Sequence, residues 1–134
     1  MRTAKELCEL GILSDDDLNF DYGTFLGEFG EIIIHVDRGD YQGDSLLIYK
    51  NDNGQFGYLC FGWGSCSGCD ALQACDGVED LQELMDHLYN SIIWFDSKES
   101  LSTFIKEHNW NGDYFGEEST ERFISSVREF LNET

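Results

Sequence analysis

The stretch that decides the fold is Gln55-Phe56-Gly57-Tyr58-Leu59-Cys60-Phe61-Gly62-Trp63. Its aromatic residues favour a β-strand, in which successive side chains point to opposite sides. Phe56, Tyr58 and Cys60 then share one face, and Leu59, Phe61 and Trp63 the other. Both faces are apolar, so the sheet is covered on both sides or offers one side to a partner. Immediately upstream, Asn51-Asp52-Asn53-Gly54 reads as a polar turn and Ser45 to Tyr49 as a second strand, giving a β-hairpin. Glu31 to Asp37, rich in β-branched residues, is a further strand. His35 lies in it and is expected to be packed or solvent-tipped rather than catalytic. Arg38-Gly39-Asp40 to Gly43 reads as a turn. Its Arg-Gly-Asp triplet carries no integrin reading, which would need an extracellular protein that the cysteine usage argues against.

Downstream, the strand runs directly into a cysteine-rich segment containing Cys60, Cys66, Cys69 and Cys75. Cys66 and Cys69 form a Cys-x-x-Cys with small residues between and Gly62, Gly64 and Gly68 around them. That pattern suits a metal knuckle, in which thiolates bind a tetrahedral zinc at about 2.3 Å. Cys60 at the strand end and Cys75 ahead of the next helix complete a candidate four-thiolate site, which would be closed and structural. Cys69 and Cys75 are about 600° apart on an unbroken helix, so a cap or kink is needed to bring them together. His87, His35 and Cys8 are alternative third or fourth ligands. Two other readings compete: Cys60 and Cys75 as buried small hydrophobes, and Cys66 with Cys69 as a thioredoxin-like redox pair. The acids Asp70, Asp76, Glu79 and Asp80 that follow would raise a thiol pKa, against the redox reading. An odd cysteine count of 5, with no secretory signal ahead of them, argues against disulfides and leads to the expectation of a cytoplasmic protein.

Composition points the same way. The 134 residues, with 41% hydrophobic and 14% aromatic side chains, suffice for one domain with a real core, and no apolar run is long enough to span a membrane. With 27 acids against 8 bases the formal net charge is −19. Such a surface repels phosphate backbones, which argues against direct nucleic-acid binding, and favours a partner with a basic surface. No lysine or arginine occurs between Lys50 and Lys98, so Asp76, Glu79, Asp80, Glu83 and Asp86 form a candidate partner-binding face.

The remaining chain reads mainly as helices. Thr3 to Leu10 is a short helix closed by Gly11, and Ser14 caps an acidic turn leading to a second through Phe20. The adjacent Asp15, Asp16 and Asp17 lack the ligand spacing of a calcium loop. Tyr22 to Gly30 reads as an irregular loop pinned by Phe25, Leu26 and Phe29. Asp76 with Glu79 caps a helix to about Asn90, buried through Val78, Leu81, Leu84, Met85 and Leu88. Ile92 to Phe95 is a short strand, and Asp96 with Glu99 caps a helix whose stripe is Leu101, Phe104, Ile105 and His108. Asn109 to Gly116 is an aromatic turn, and Ser119 to Asn132 a final helix with Phe123, Ile124, Val127, Phe130 and Leu131 on one side. The expected fold is a single α+β domain spanning residues 1–134. It consists of a small antiparallel sheet of about three to four strands, about three to four helices, and a zinc knuckle at the sheet–helix junction.

No nucleophile elbow, phosphate loop or zinc-protease motif is present, so the expectation is a protein that is not an enzyme. The run Trp63-Gly64-Ser65-Cys66-Ser67-Gly68-Cys69-Asp70-Ala71-Leu72, followed by an acidic helix and Trp94-Phe95-Asp96-Ser97-Lys98, resembles a motif of small bacteriophage proteins. The resemblance covers Tyr58 to about Trp110. In size, charge and expected zinc site the chain is similar to anti-CRISPR proteins acting on type II systems. That resemblance implies a stoichiometric inhibitor, working in the bacterial host cytoplasm, that binds the basic surfaces of the RNA-guided nuclease and blocks loading of guide or target DNA. The alternative of the same charge class is an immunity or antitoxin protein against a basic nuclease.

Overall fold

The chain begins with a helix whose ends are both written locally. In α1 (Ala4–Glu9) the Thr3 side chain accepts from the Glu6 N–H, and the Glu6 carboxylate accepts from the Thr3 N–H, a reciprocal capping box. At the other end Gly11 adopts φ 76°. The Gly11 N–H bonds to the Cys8 carbonyl and the Ile12 N–H to that of Leu7, a Schellman closure that the expected Gly11 stop supplies. The computed structural model describes residues 1–12, 22–39, 43–63, 75, 77–108, 110 and 117–132. The expected Ser14–Phe20 helix and most of the Asn109–Gly116 turn lie outside them.

Residues 22–30 are not the irregular loop expected from their glycines. They form α2 (Gly23–Leu26) and a 3₁₀ turn (Gly27–Phe29). Phe25, Leu26 and Phe29 are all buried, so tertiary burial outweighs the low helix propensity of Gly23 and Gly27. The aromatic pinning is as expected.

Four antiparallel strands follow: β1 (Glu31–Gly39), β2 (Gly43–Lys50), β3 (Phe56–Trp63) and β4 (Ile93–Phe95), in the order β1-β2-β3-β4. The β2–β3 turn is held by Asn51, whose side-chain oxygen accepts from the Asn53 and Gln55 N–H groups at 3.1 and 2.9 Å. An irregularity between Ile32 and Ile34 shifts the β1 register, so that Ile33 and Ile34 both join the same face. Arg38 was expected in a turn; it is instead a strand residue paired with Asp44 and is 2% exposed.

The central strands are two-sided, as β3 required. Leu47, Tyr49, Leu59 and Phe61 pack with Ala4, Leu7, Phe25, Phe29, Leu81, Met85 and Leu88, from α1, α2, the 3₁₀ turn and α3 (Val78–Asn90). Leu46, Ile48, Phe56 and Tyr58 pack with Leu101, Ile105, Phe123 and Val127, from α4 (Lys98–Glu107) and α5 (Glu117–Asn132). The molecule is therefore an α+β fold with helices on both sides of an antiparallel sheet. α1 is tied to α3 where the Ala4 N–H donates to Gln82 Oε1 at 2.7 Å. Tyr49 fills the first side and donates its buried hydroxyl to the Leu26 carbonyl at 2.9 Å.

Two caps fall one residue later than the sequence suggests. The N-cap of α3 is Gly77, with no side-chain cap, rather than the Asp76–Glu79 pair. That of α4 is Ser97, whose hydroxyl accepts from the Ser100 N–H at 3.1 Å, rather than Asp96. β4 is held close against β3 by Gly57. A Cβ there would come within 2.7 Å of both Ile92 and the Trp94 ring, which covers the glycine.

Candidate functional site

The strand that delivers the chain into the cysteine segment ends among polar side chains on both of its faces. On the α4/α5 side, Arg38 and Asp44 are direct cross-strand neighbours. Arg38 Nε donates to Asp44 Oδ1 at 2.6 Å, and an Nη group donates to the other carboxylate oxygen. Its remaining Nη group donates to Thr120 Oγ1 of α5 at 2.8 Å. A planar guanidinium thus spends its fork on one carboxylate and still ties a helix to the sheet.

Cys60 belongs to this face. Its thiol donates to Asp44 Oδ2 at 3.6 Å. Although part of the residue reaches solvent, desolvation of the thiol and the adjacent Asp44 carboxylate push its pKa up to about 11. The folded-state pKa lies above the unfolded one, so this group's contribution to stability is present below the ordinary thiol range and is lost as pH climbs toward about 11. Cys60 is expected to be alkylated by iodoacetamide at pH 7.5 about two orders of magnitude more slowly than in the urea-unfolded chain. Peptide mapping by mass spectrometry reads this directly; equal rates would show that the thiol is not held protonated.

On the opposite side, Trp63 Nε1 donates to Ser45 Oγ at 3.0 Å, and Ser45 Oγ donates to Asp37 Oδ1 at 2.5 Å. His35 is exposed, with Nε2 2.8 Å from the same Asp37 oxygen, the solvent-tipped placement expected of it. Of the other candidate ligands, Cys75 is buried two positions before the α3 N-cap, Cys8 is half-buried in α1, and His87 is exposed in the last turn of α3. Cys66 and Cys69 lie outside the described residues. Among the described residues, no group of three His, Cys, Asp or Glu side chains converges as a metal site.

The acidic face is placed by helical geometry. Leu81, Met85 and Leu88 of α3 are buried against the sheet, which turns Glu79, Asp80, Glu83 and Asp86 outward, all exposed. Asp86 accepts from Gln82 Nε2 at 2.9 Å one turn back. Asp76 lies outside the described residues. The acids of the first turn also suit the positive end of the helix, so Glu79 and Asp80 stabilise α3 as well as charging its surface.

The Arg38–Asp44–Thr120 cluster left no mark in the sequence pattern. Nor did that pattern point to a groove at the other end of the sheet, of about 500 Å³, lined by Phe95, Glu99, Ser100, Thr103, Phe104 and Glu107. No described helix is long and apolar enough to cross a membrane. What these features define is an antiparallel sheet covered by helices on both faces, with one helix, α3, whose exposed side carries four acids and no lysine or arginine. Comparison with protein-family models, with curated proteins and with solved structures finds no match.

Proposed function

We propose that this chain is a non-enzymatic, strongly acidic binding protein whose partner is a basic, nucleic-acid-handling protein. The observation that carries this reading is α3, whose outer side offers Glu79, Asp80, Glu83 and Asp86 to solvent. The sequence has no lysine or arginine between Lys50 and Lys98, so α3 itself carries none. A face of one sign steers and orients an oppositely charged partner more than it adds raw affinity. Asp76, next to this helix in sequence, belongs to the same proposed surface.

The specific partner we propose is a type II CRISPR effector nuclease, whose heteroduplex channel is basic, with the chain acting as an inhibitor of guide or target DNA loading. A structural zinc is part of the proposal. Cys66 and Cys69 are its first ligands, with Cys75 and Cys60 as the remaining thiols; the metal would clip the end of β3 to the start of α3. Cys60 can join only by giving up its proton and its bond to Asp44.

The test is affinity purification and biolayer interferometry with a type II effector complex at two salt concentrations, with zinc measured on the same preparation. Binding should weaken steeply with salt, and replacing Glu79, Asp80, Glu83 and Asp86 by lysine should weaken it by about tenfold or more. Affinity indifferent to both changes would overturn the reading. Capture of a nuclease toxin in place of the effector would move the same surface to an immunity protein. A metal-free, fully folded protein would remove the zinc.

A further inference from the structure

The outer flank of α4 and the open edge of the sheet form a corner that α3 has no part in. β4 is last in the strand order, and among the described residues no strand pairs with its outer edge. Beside it runs the groove of about 500 Å³ whose walls are Phe95 of β4 and Glu99, Ser100, Thr103, Phe104 and Glu107 of α4. The direction of this flank follows from the helix wheel. Leu101 and Ile105 face the sheet, and Lys98, whose Nζ sits 4.9 Å from the Phe130 ring of α5, marks the side toward α5. At 100° per residue Ser100, Phe104 and Glu107 lie on the other side, overhanging β4. The floor is aromatic, with Phe95 and Phe104 ring centroids 5.1 Å apart. The rim is anionic: Glu99 and Glu107 are exposed, and neither carboxylate is paired with another described residue.

We infer that this corner receives an extended, cationic segment of the partner, lying beside β4 with its side chains under α4. The inference deepens the proposed function and rests on its claim that the partner is basic. Geometry sets the pattern of the segment. Glu99 and Glu107 are eight residues apart on a helix, about 12 Å along its axis and about 80° around it, an offset that a long cationic side chain can span. In an extended chain the side chains at i and i+4 share a face and lie about 13 Å apart. A segment with Lys or Arg at i and i+4 therefore meets both carboxylates, while an apolar residue at i+2 falls over Phe95 and Phe104. An arginine at either end also gains from the ring faces. Addition of a strand to an exposed sheet edge lets main-chain hydrogen bonds supply affinity and the alternate side chains specificity.

The experiment is calorimetric titration of the full chain with the synthetic peptide acetyl-Thr-Arg-Val-Phe-Val-Arg-Thr-amide. Binding should be lost when both arginines are replaced by glutamate, and weakened at least tenfold when the second arginine is moved one position so that the two no longer share a face. The double variant Glu99→Lys/Glu107→Lys, at exposed positions that leave the core intact, should lose about tenfold. Glu79→Lys/Glu83→Lys on α3 should stay within twofold. If the α3 variant abolishes peptide binding and the α4 variant does not, the corner falls and the acidic-surface reading stands. If wild type ignores the peptide while binding the nuclease, the corner falls alone. If the peptide binds as described and no basic protein does, the proposed function falls and the corner stands.

Discussion

Replacing Arg38 by alanine is expected to destabilise the protein by about 3–5 kcal/mol, a large share of the stability of a domain this size. The guanidinium is 2% exposed and its carboxylate partner 15%. Its removal leaves Asp44 as an uncompensated charge in a poorly solvated place and deprives Thr120 of a donor. Most of the loss is the cost of stranding Asp44, so the double variant Arg38→Met/Asp44→Leu should recover much of it. Urea unfolding of Arg38→Met, Asp44→Leu and the double variant measures the coupling. If Arg38→Ala costs less than about 1 kcal/mol, the pair is worth no more than an ordinary exposed ion pair.

The second large effect is expected at Phe123, whose replacement by alanine should also cost about 3–5 kcal/mol. The ring is fully buried, with centroids 6.1 Å from Tyr58 and 5.9 Å from Trp110. It fixes α5 to the middle of the sheet. Alanine leaves a cavity that β3, covered on its other face too, cannot collapse to fill. In thermal melts the midpoint should fall by roughly 10–20 °C, with a loss of near-ultraviolet circular dichroism from the aromatic cluster. Phe123→Leu should keep most of the stability. A similar cost for both variants would mean that ring geometry, not volume, holds the helix.

These two residues mark how far the sequence could be read. Phe123 was legible because helical periodicity alone puts it on a stripe with Val127, and both are fully buried. The alternation of β3 was legible for the same reason, and it led to a sheet covered on both sides. Arg38 was not. It stands in an Arg-Gly-Asp triplet that reads as turn chemistry, and one of its partners, Thr120, lies 82 residues away. Residues 22–30 misled because glycine spacing is a local signal, while Phe25 and Phe29 are held by non-local burial. The exposure of the α3 acids followed from the same periodicity. The β4–α4 groove could not be foreseen, because it depends on which strand ends the sheet and which flank of α4 faces away from α5.

The strand order has a consequence for how the molecule assembles. β1 with β2 and β2 with β3 pair across short reversals, so those two ladders can zip from local contacts. β4 is different: it joins β3 after an excursion from Trp63 to Ile93 and through only three residue pairs. Closing that loop carries an entropy cost that the hairpins do not bear, and the cost is recovered only once Trp94 settles over Gly57. The meander is therefore expected to form first, with the edge carrying β4 joining last and opening first.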